Sequence, residues 1–326
     1  MQSQEALKAL AIVPKVSGAV SIIGSTCILN DIFMKSRKKS NRLPINLRIL
    51  VSLSISDIIA SFFAYFLSTW MVPSDTPSED VVFAAGNDVT CNVQGFLTAL
   101  TLAASNWSIA SLAISSAMIA CWGWSNDKLL ELKWQIPLVV FPWIYGLACG
   151  IYFQVVKGYR YNGSSRCLIG DEPFPLWVII FTLINVLFLF ISICSAIASL
   201  VKYVYQVEMK LDKYQVGGTQ QTRRREKTIR TAKQGIWYTL MWLFVATFIV
   251  IGGFVGEEPV WFWILYGVFV PLQGLFNAWI YFRERIIANR RKRRRNASQP
   301  KPQPDVPRAD IPEADDPQPD VPQPDV

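Results

Sequence analysis

Seven long apolar runs divide this chain, at about residues 9–33, 44–70, 91–122, 134–156, 175–203, 229–252 and 260–282, and most charges gather in short blocks between them. Each run can cross the roughly 30 Å hydrocarbon core of a bilayer as a helix. Helices of a soluble core carry a polar face at period 3.6, and these runs lack one. The pattern therefore predicts an all-α membrane protein, a seven-transmembrane helix bundle whose helices are numbered as spans 1 to 7. Span 3 organises it. No charged residue falls between Asp88 and Asp127, and as one helix Cys91–Trp122 would extend about 48 Å. Thr98, Ser105 and Asn106 recur down its length, and such groups favour a helix surrounded by others over one facing lipid. Span 1 is the least regular. Pro14 suits a first turn, and Lys15 is expected to reach the outer headgroups.

Composition agrees: 52% of the 326 residues are hydrophobic and only 17% charged, an unusual balance for a soluble domain. The charges orient the bundle. Lys35, Arg37, Lys38, Lys39 and Arg42 follow span 1. Arg223, Arg224, Arg225, Lys227, Arg230 and Lys233 lead into span 6, and Arg290 to Arg295 follow span 7. Asp75, Glu79, Asp80 and Asp88 lie after span 2, and Glu257 and Glu258 after span 6. By the positive-inside rule the N-terminus is outside and the C-terminus inside. The organisation expected is a short extracellular N-terminus (1–8), the bundle (9–282), a basic juxtamembrane segment (283–298) and a cytoplasmic tail (299–326). The basic segment adjoins a span, so it suits anionic membrane lipids and not nucleic acid. The tail repeats Pro-Gln-Pro-Asp-Val from Pro302, Pro317 and Pro322 and is too polar to bury a core. The protein is read as multi-pass, in the plasma membrane or an endomembrane.

Two cysteines differ from the rest. Cys27, Cys121, Cys149 and Cys194 sit in apolar runs and read as buried thiols. Cys91 and Cys167 both fall outside, where an oxidising environment favours a disulfide between them. The same outer loop carries the glycosylation acceptor Asn162-Gly163-Ser164.

Asp57 is the one carboxylate deep inside a run. An intramembrane acid is costly and marks a functional site unless neighbouring helices simply hydrogen-bond it. Its context, Leu53-Ser54-Ile55-Ser56-Asp57, is similar to a span 2 signature of rhodopsin-like G-protein-coupled receptors. Asn277-Ala278-Trp279-Ile280-Tyr281 in span 7 resembles their Asn-Pro-x-x-Tyr motif, with alanine replacing proline. That resemblance implies an allosteric sodium ion held by Asp57, Ser105 and Asn277; no organic cofactor is expected. Span 3 departs from the family where it meets the cytosol: Ser115-Ser116-Ala117 stands where an Asp-Arg-Tyr motif would fall. Leu112-Ala113-Ile114-Ser115, Arg166-Cys167-Leu168-Ile169-Gly170 and Gln273-Gly274-Leu275-Phe276-Asn277 resemble instead the slime-mould cyclic-AMP-receptor-like family.

A ligand pocket in the outer half would be walled by Gln94, Thr98 and Leu102, with Trp177, Trp242, Tyr266 and Gln273 from other spans. Lys157, Arg160 and Arg166 would be first to meet an anionic ligand, or else belong to an ordinary solvated loop. No acid lines this half, which argues against an amine. What the resemblance implies is a receptor for an extracellular ligand that signals through a heterotrimeric G protein by outward movement of span 6. Ser115, Ser116, Arg225, Arg230, Lys233 and Tyr281 would then face the G protein. The alternative is an ion-coupled transporter built on Asp57, though no internal repeat supports it. A retinal-binding pump is excluded, because no lysine lies between Glu258 and Arg283. Enzyme chemistry has no footing: the chain lacks histidine, a Gly-rich phosphate loop and metal-spaced cysteines.

Overall fold

The computed structural model describes residues 4–38, 43–77, 81–156, 158–161, 166–169, 176–213, 219–252, 260–283 and 286. Residues 1–284 form one compact unit and 285–326 a second, of which only Ile286 is described. Within the first, α1 (Gln4–Lys38) is followed by α2 (Ile45–Ala60), which runs on through a π turn (Ser61–Phe66) and a 3-10 turn (Ser68–Met71). Next come α3 (Asp88–Cys121), the short α4 (Asn126–Leu129) and α5 (Leu132–Gln135), a π turn (Ile136–Val140) and α6 (Phe141–Val156). The remainder is α7 (Leu176–Lys213), α8 (Thr219–Gly252) and α9 (Val260–Phe269). The last span continues as α10 (Gln273–Arg283) after a 44° bend. These elements make the expected seven rods, with α3 packed against α2, α6, α7 and α8.

Three rods outrun their apolar stretches: α1 has 35 residues, α7 38 and α8 34. Lys, Arg, Glu and Gln are good helix formers, so a helix continues past the bilayer where hydropathy falls silent. On the inner side α7 thereby runs to Lys213 and α8 starts at Thr219, and residues 214–218 between them lie outside the described residues.

Polar contacts hold α3 at its outer end. Asn87 Oδ1 accepts from Thr90 N (3.0 Å) and Thr90 Oγ1 accepts from Asn87 N (2.8 Å), a reciprocal capping box. One turn on, Cys91 is bonded to Cys167, with 5.4 Å between their Cα atoms, as its outer position led us to expect. Cys167 belongs to an antiparallel hairpin of β1 (Tyr159–Tyr161) and β2 (Cys167–Ile169), which no periodicity in the sequence signalled. The Tyr159 ring lies directly on Gly95, where any Cβ would overlap it. Its hydroxyl donates to Gly150 O (3.0 Å), and burial pushes its pKa above the usual phenol range.

Gln94 joins these parts. Its amide donates to Phe63 O (2.8 Å) and Ser68 O (2.9 Å), and its carbonyl accepts from Cys167 N (2.8 Å). The π turn and Ser68, whose φ is 39°, leave carbonyls without regular helical partners, and Gln94 supplies a donor. Lys15 does the same nearby. Instead of reaching headgroups, it donates to Leu67 O (3.0 Å) and lies 4.0 Å over the Trp70 ring.

On the far side, Ser21 Oγ accepts from Gly274 N (3.0 Å) and meets Ser61 Oγ at 3.0 Å, which sews α1, α2 and α10 together. Gly274 permits this approach, because a Cβ there would run into Ser21 and Ser25.

Gln94→Leu is isosteric enough to pack, yet strands three backbone groups. At about 1–3 kcal/mol for each buried unsatisfied group, it should lower the melting temperature of the purified protein clearly. Melting unchanged from wild type would show that water satisfies those groups instead.

Candidate functional site

Between the hairpin and the middle of the bundle lies a cavity of about 250 Å³. Its walls come from α2, α3, α8, α9 and the chain between α9 and α10, and β2 closes its outer side through Leu168.

Its inner end is a hydrogen-bonded chain. Asn277 Nδ2 donates to Asp57 Oδ2 (2.8 Å), Ser105 Oγ donates to Asp57 Oδ1 (3.4 Å), and Gln273 Nε2 donates to Ser105 Oγ (2.8 Å). Asp57 is 4% exposed, Ser105 5% and Asn277 3%, while Gln273 is half-buried. Each carboxylate oxygen thus has a donor, which an acid in this setting requires. Beside the chain, Trp242 Nε1 donates to Asn106 Oδ1 (2.9 Å) and ties α8 to α3.

At the outer end stands Arg166, only 8% exposed. Its guanidinium lies 4.7 Å from the Tyr65 ring and 5.8 Å from the Tyr266 ring, and Nη2 donates to Tyr266 Oη (3.1 Å). A cation over tyrosine faces is held by the ring quadrupole and by hydrogen bonding together. The disulfide at the next residue fixes its backbone against α3.

The inner end of the bundle carries a second polar cluster. Tyr281 Oη donates to Asp31 Oδ2 (2.6 Å), and Lys35 Nζ reaches Asp31 Oδ2 (2.6 Å) and Tyr281 Oη (2.8 Å). α10 is thereby tied to α1. Arg283 lies 4.7 Å over the Trp237 ring and 5.3 Å over Trp279, bridging α8 and α10.

Of the pocket residues proposed from sequence, Thr98, Leu102, Arg166, Trp242, Tyr266 and Gln273 line the cavity. Gln94 does not: it is fully buried and engaged with backbone. Arg160 is exposed on the hairpin and does not line the cavity. Lys157 and Asn162, with the side chains of Trp177, Arg225 and Arg230, lie outside the described residues, as do the basic run and tail. Asp57, Ser105 and Asn277 come together.

At the inner end Lys233 is exposed, but Ser115 and Ser116 are not free to face a partner. Ser115 Oγ donates to Asn46 Oδ1 (2.9 Å), Asn46 Nδ2 reaches Ser116 Oγ (3.5 Å), and Ser116 packs on Gly235 of α8. These serines are helix-packing groups in this state, and so is Tyr281, buried on Asp31. Sequence reasoning missed Tyr65 and Thr101 in the cavity. Tyr65 lies eight residues beyond Asp57, two helical turns along the same face, and that spacing could have found it.

The architecture has a solved counterpart. Squid rhodopsin superposes with a TM-score of 0.65 over 93% of this chain and 94% of its own, at 15% sequence identity. The chain therefore has the seven-helix fold of rhodopsin, and at that identity the likeness is of fold. No protein-family model matches it. Among curated proteins, the ascaroside receptor GPR2 of the fungus Arthrobotrys oligospora is 24% identical over 187 residues, 55% of this chain and 42% of that receptor. The match thus spans less than half of the relative's length.

Proposed function

We propose that this protein is a G-protein-coupled receptor: a ligand entering the outer cavity biases a two-state bundle, and α8 swings outward to admit a heterotrimeric G protein. The observation that carries the reading is the cavity beside a disulfide-anchored hairpin in a rhodopsin fold. The match to a curated receptor adds to it. Ligand binding can shift the bundle only through contacts that differ between states. The cavity offers them, since its walls come from α8 and α9 as well as from α2 and α3. The Asp57–Ser105–Asn277 chain suits an allosteric sodium ion, a hard cation that takes oxygen ligands of this kind.

The inner contacts explain how such a receptor could stay idle without the arginine of rhodopsin-like receptors. Outward movement of α8 must part Arg283 from Trp237, and rearrangement of α10 must release Tyr281 from Asp31. The basic residues at the start of α8 would then meet the G protein, while those after α10 hold anionic lipid.

Purified receptor with a ligand that stabilises it should accelerate nucleotide exchange on at least one Gα subunit of its own cell. Ion-coupled uptake into liposomes, abolished by Asp57→Asn, would replace the receptor with a transporter. Sodium should raise the melting temperature of the wild type, and Asp57→Asn should remove that dependence; a dependence that survives the substitution excludes the site. Tyr281→Phe deletes a hydrogen bond to a carboxylate, so ligand-independent exchange should rise about tenfold if the bond is confined to the idle state. Unchanged basal exchange would mean that the contact persists on activation.

A further inference from the structure

We infer that the cavity takes a small neutral molecule whose polar end both donates and accepts a hydrogen bond, a primary carboxamide or a hydroxyl. That end is held by the side-chain amides of Gln273 and Asn106, and an apolar body lies along the walls. The inference rests on the receptor reading and names the ligand class of the same cavity.

The direction of the hydrogen bonds comes first. A carboxylate only accepts, so the Ser105 hydroxyl gives its single proton to Asp57 Oδ1 and must accept from Gln273 Nε2. That fixes the Gln273 amide: its nitrogen is engaged by Ser105, and its carbonyl oxygen is left over. An indole only donates, so the atom of Asn106 that meets Trp242 Nε1 is the oxygen, and the Asn106 NH2 is left over. Both residues line the cavity and are half-buried. Among the described residues no group hydrogen-bonds Gln273 Oε1 or Asn106 Nδ2. Ser105 and Asn106 are consecutive on α3, so the open acceptor and the open donor stand at about the same level of the cavity.

Charge comes second. Asp57 and Arg166 are the charged groups among the described lining residues, and both are already engaged: the acid by Asn277 and Ser105, the arginine by Tyr65 and Tyr266. An ionic ligand would enter without a counter-ion kept open for it, and desolvating an unpaired ion costs far more than desolvating a neutral head. A carboxylate would also face the Gln273 carbonyl, and an ammonium would find no acceptor in the Asn106 NH2. Shape comes third. Ala64, Leu102, Val245, Ile249 and Val270 offer contact to hydrocarbon and no side-chain hydrogen bonds. About 250 Å³ falls below the range of roughly 300–1,000 Å³ for drug-sized ligands, so the molecule is small.

The test uses the full-length protein in nanodiscs and pairs of probes that keep one shape and differ in the donor. Straight-chain primary amides are compared with methyl ketones, and 1-alkanols with alkyl methyl ethers of the same formula, each over a range of lengths. Carboxylates and primary amines of those lengths are the charged controls. Affinities are read from the rise in melting temperature with probe concentration. In at least one pair the donating member should bind about tenfold more tightly than its partner, with a length optimum, and the charged controls should bind more weakly than either. A preference in one pair alone selects carboxamide or hydroxyl as the head. Gln273→Met keeps the length and removes the amide, so it should bring that preference close to unity while the ketone or ether still binds. Asn106→Leu should weaken both members of the pair. Equal affinity within both pairs in the wild type would mean that water alone meets the two amides, and would overturn the inference whether or not the variants fold. Binding by no neutral probe, tighter binding of a charged control, or a preference that survives Gln273→Met would overturn it too. Nucleotide exchange is measured on the same preparations. Amides or alkanols that bind with the expected preference but activate no Gα subunit count against the receptor reading alone, and activation by a charged control counts against the ligand class alone.

Discussion

A polar group inside the hydrocarbon must find its partner within the protein, because lipid offers none. That constraint shapes this bundle more than apolar packing does, since lipid tails cover an apolar helix face as well as another helix would. α3 is where it is met. Near the outer end Gln94 satisfies the carbonyls freed by the irregular turns of α2 and holds Cys167 in place. Halfway down, Ser105 joins Asp57 of α2 to Gln273 of α10, and Asn106 holds Trp242 of α8. Near the inner end Ser115 and Ser116 take Asn46 of α2. Each level binds a different set of helices, so the depth of a polar residue along α3 determines which helices it joins.

This explains what could be read from the sequence. Spans are visible because hydropathy is a local property summed over about 20 residues. The disulfide is visible because sidedness leaves two outer cysteines to pair. The meeting of Asp57, Ser105 and Asn277 came from motif resemblance, since residues 48 and 220 positions apart have no local signal that joins them. The misassigned residues share a cause. Gln94, Ser115 and Ser116 lie on the inward side of α3, and inward polar residues serve ligands, partners or the backbone of neighbouring helices alike. Only the geometry of the neighbours decides among these. The π turn after Ala60 that creates the demand for Gln94 has no signature in the string Ser61–Phe66. Nor do three-residue strands, whose alternation is too short to register.

The irregular end of α2 also has a consequence for the cavity. The π turn spans Ser61–Phe66, and Ser61, Ala64 and Tyr65 line the cavity from it. A π turn carries an extra residue per turn, and so it rotates the residues beyond it relative to a regular helix. The Tyr65 ring faces Arg166 from this segment. Three neighbouring groups fix the segment from different sides: Gln94 from α3, Lys15 from α1 and Ser21 on Ser61. The aromatic side of the arginine's seat is therefore positioned by helices that do not all reach the cavity themselves.

Arg166 and its surroundings differ in one respect from the buried charge at Asp57. Asp57 sits among donors from neighbouring helices and is satisfied by the bundle alone, so it needs no ligand in order to be stable. Arg166 is held on a short hairpin, a single disulfide from α3, with tyrosine rings and a phenol oxygen among its contacts in the cavity. The two buried charges are thus held by different means, the inner one by donors of neighbouring helices and the outer one by tyrosines of the turn after α2 and of α9.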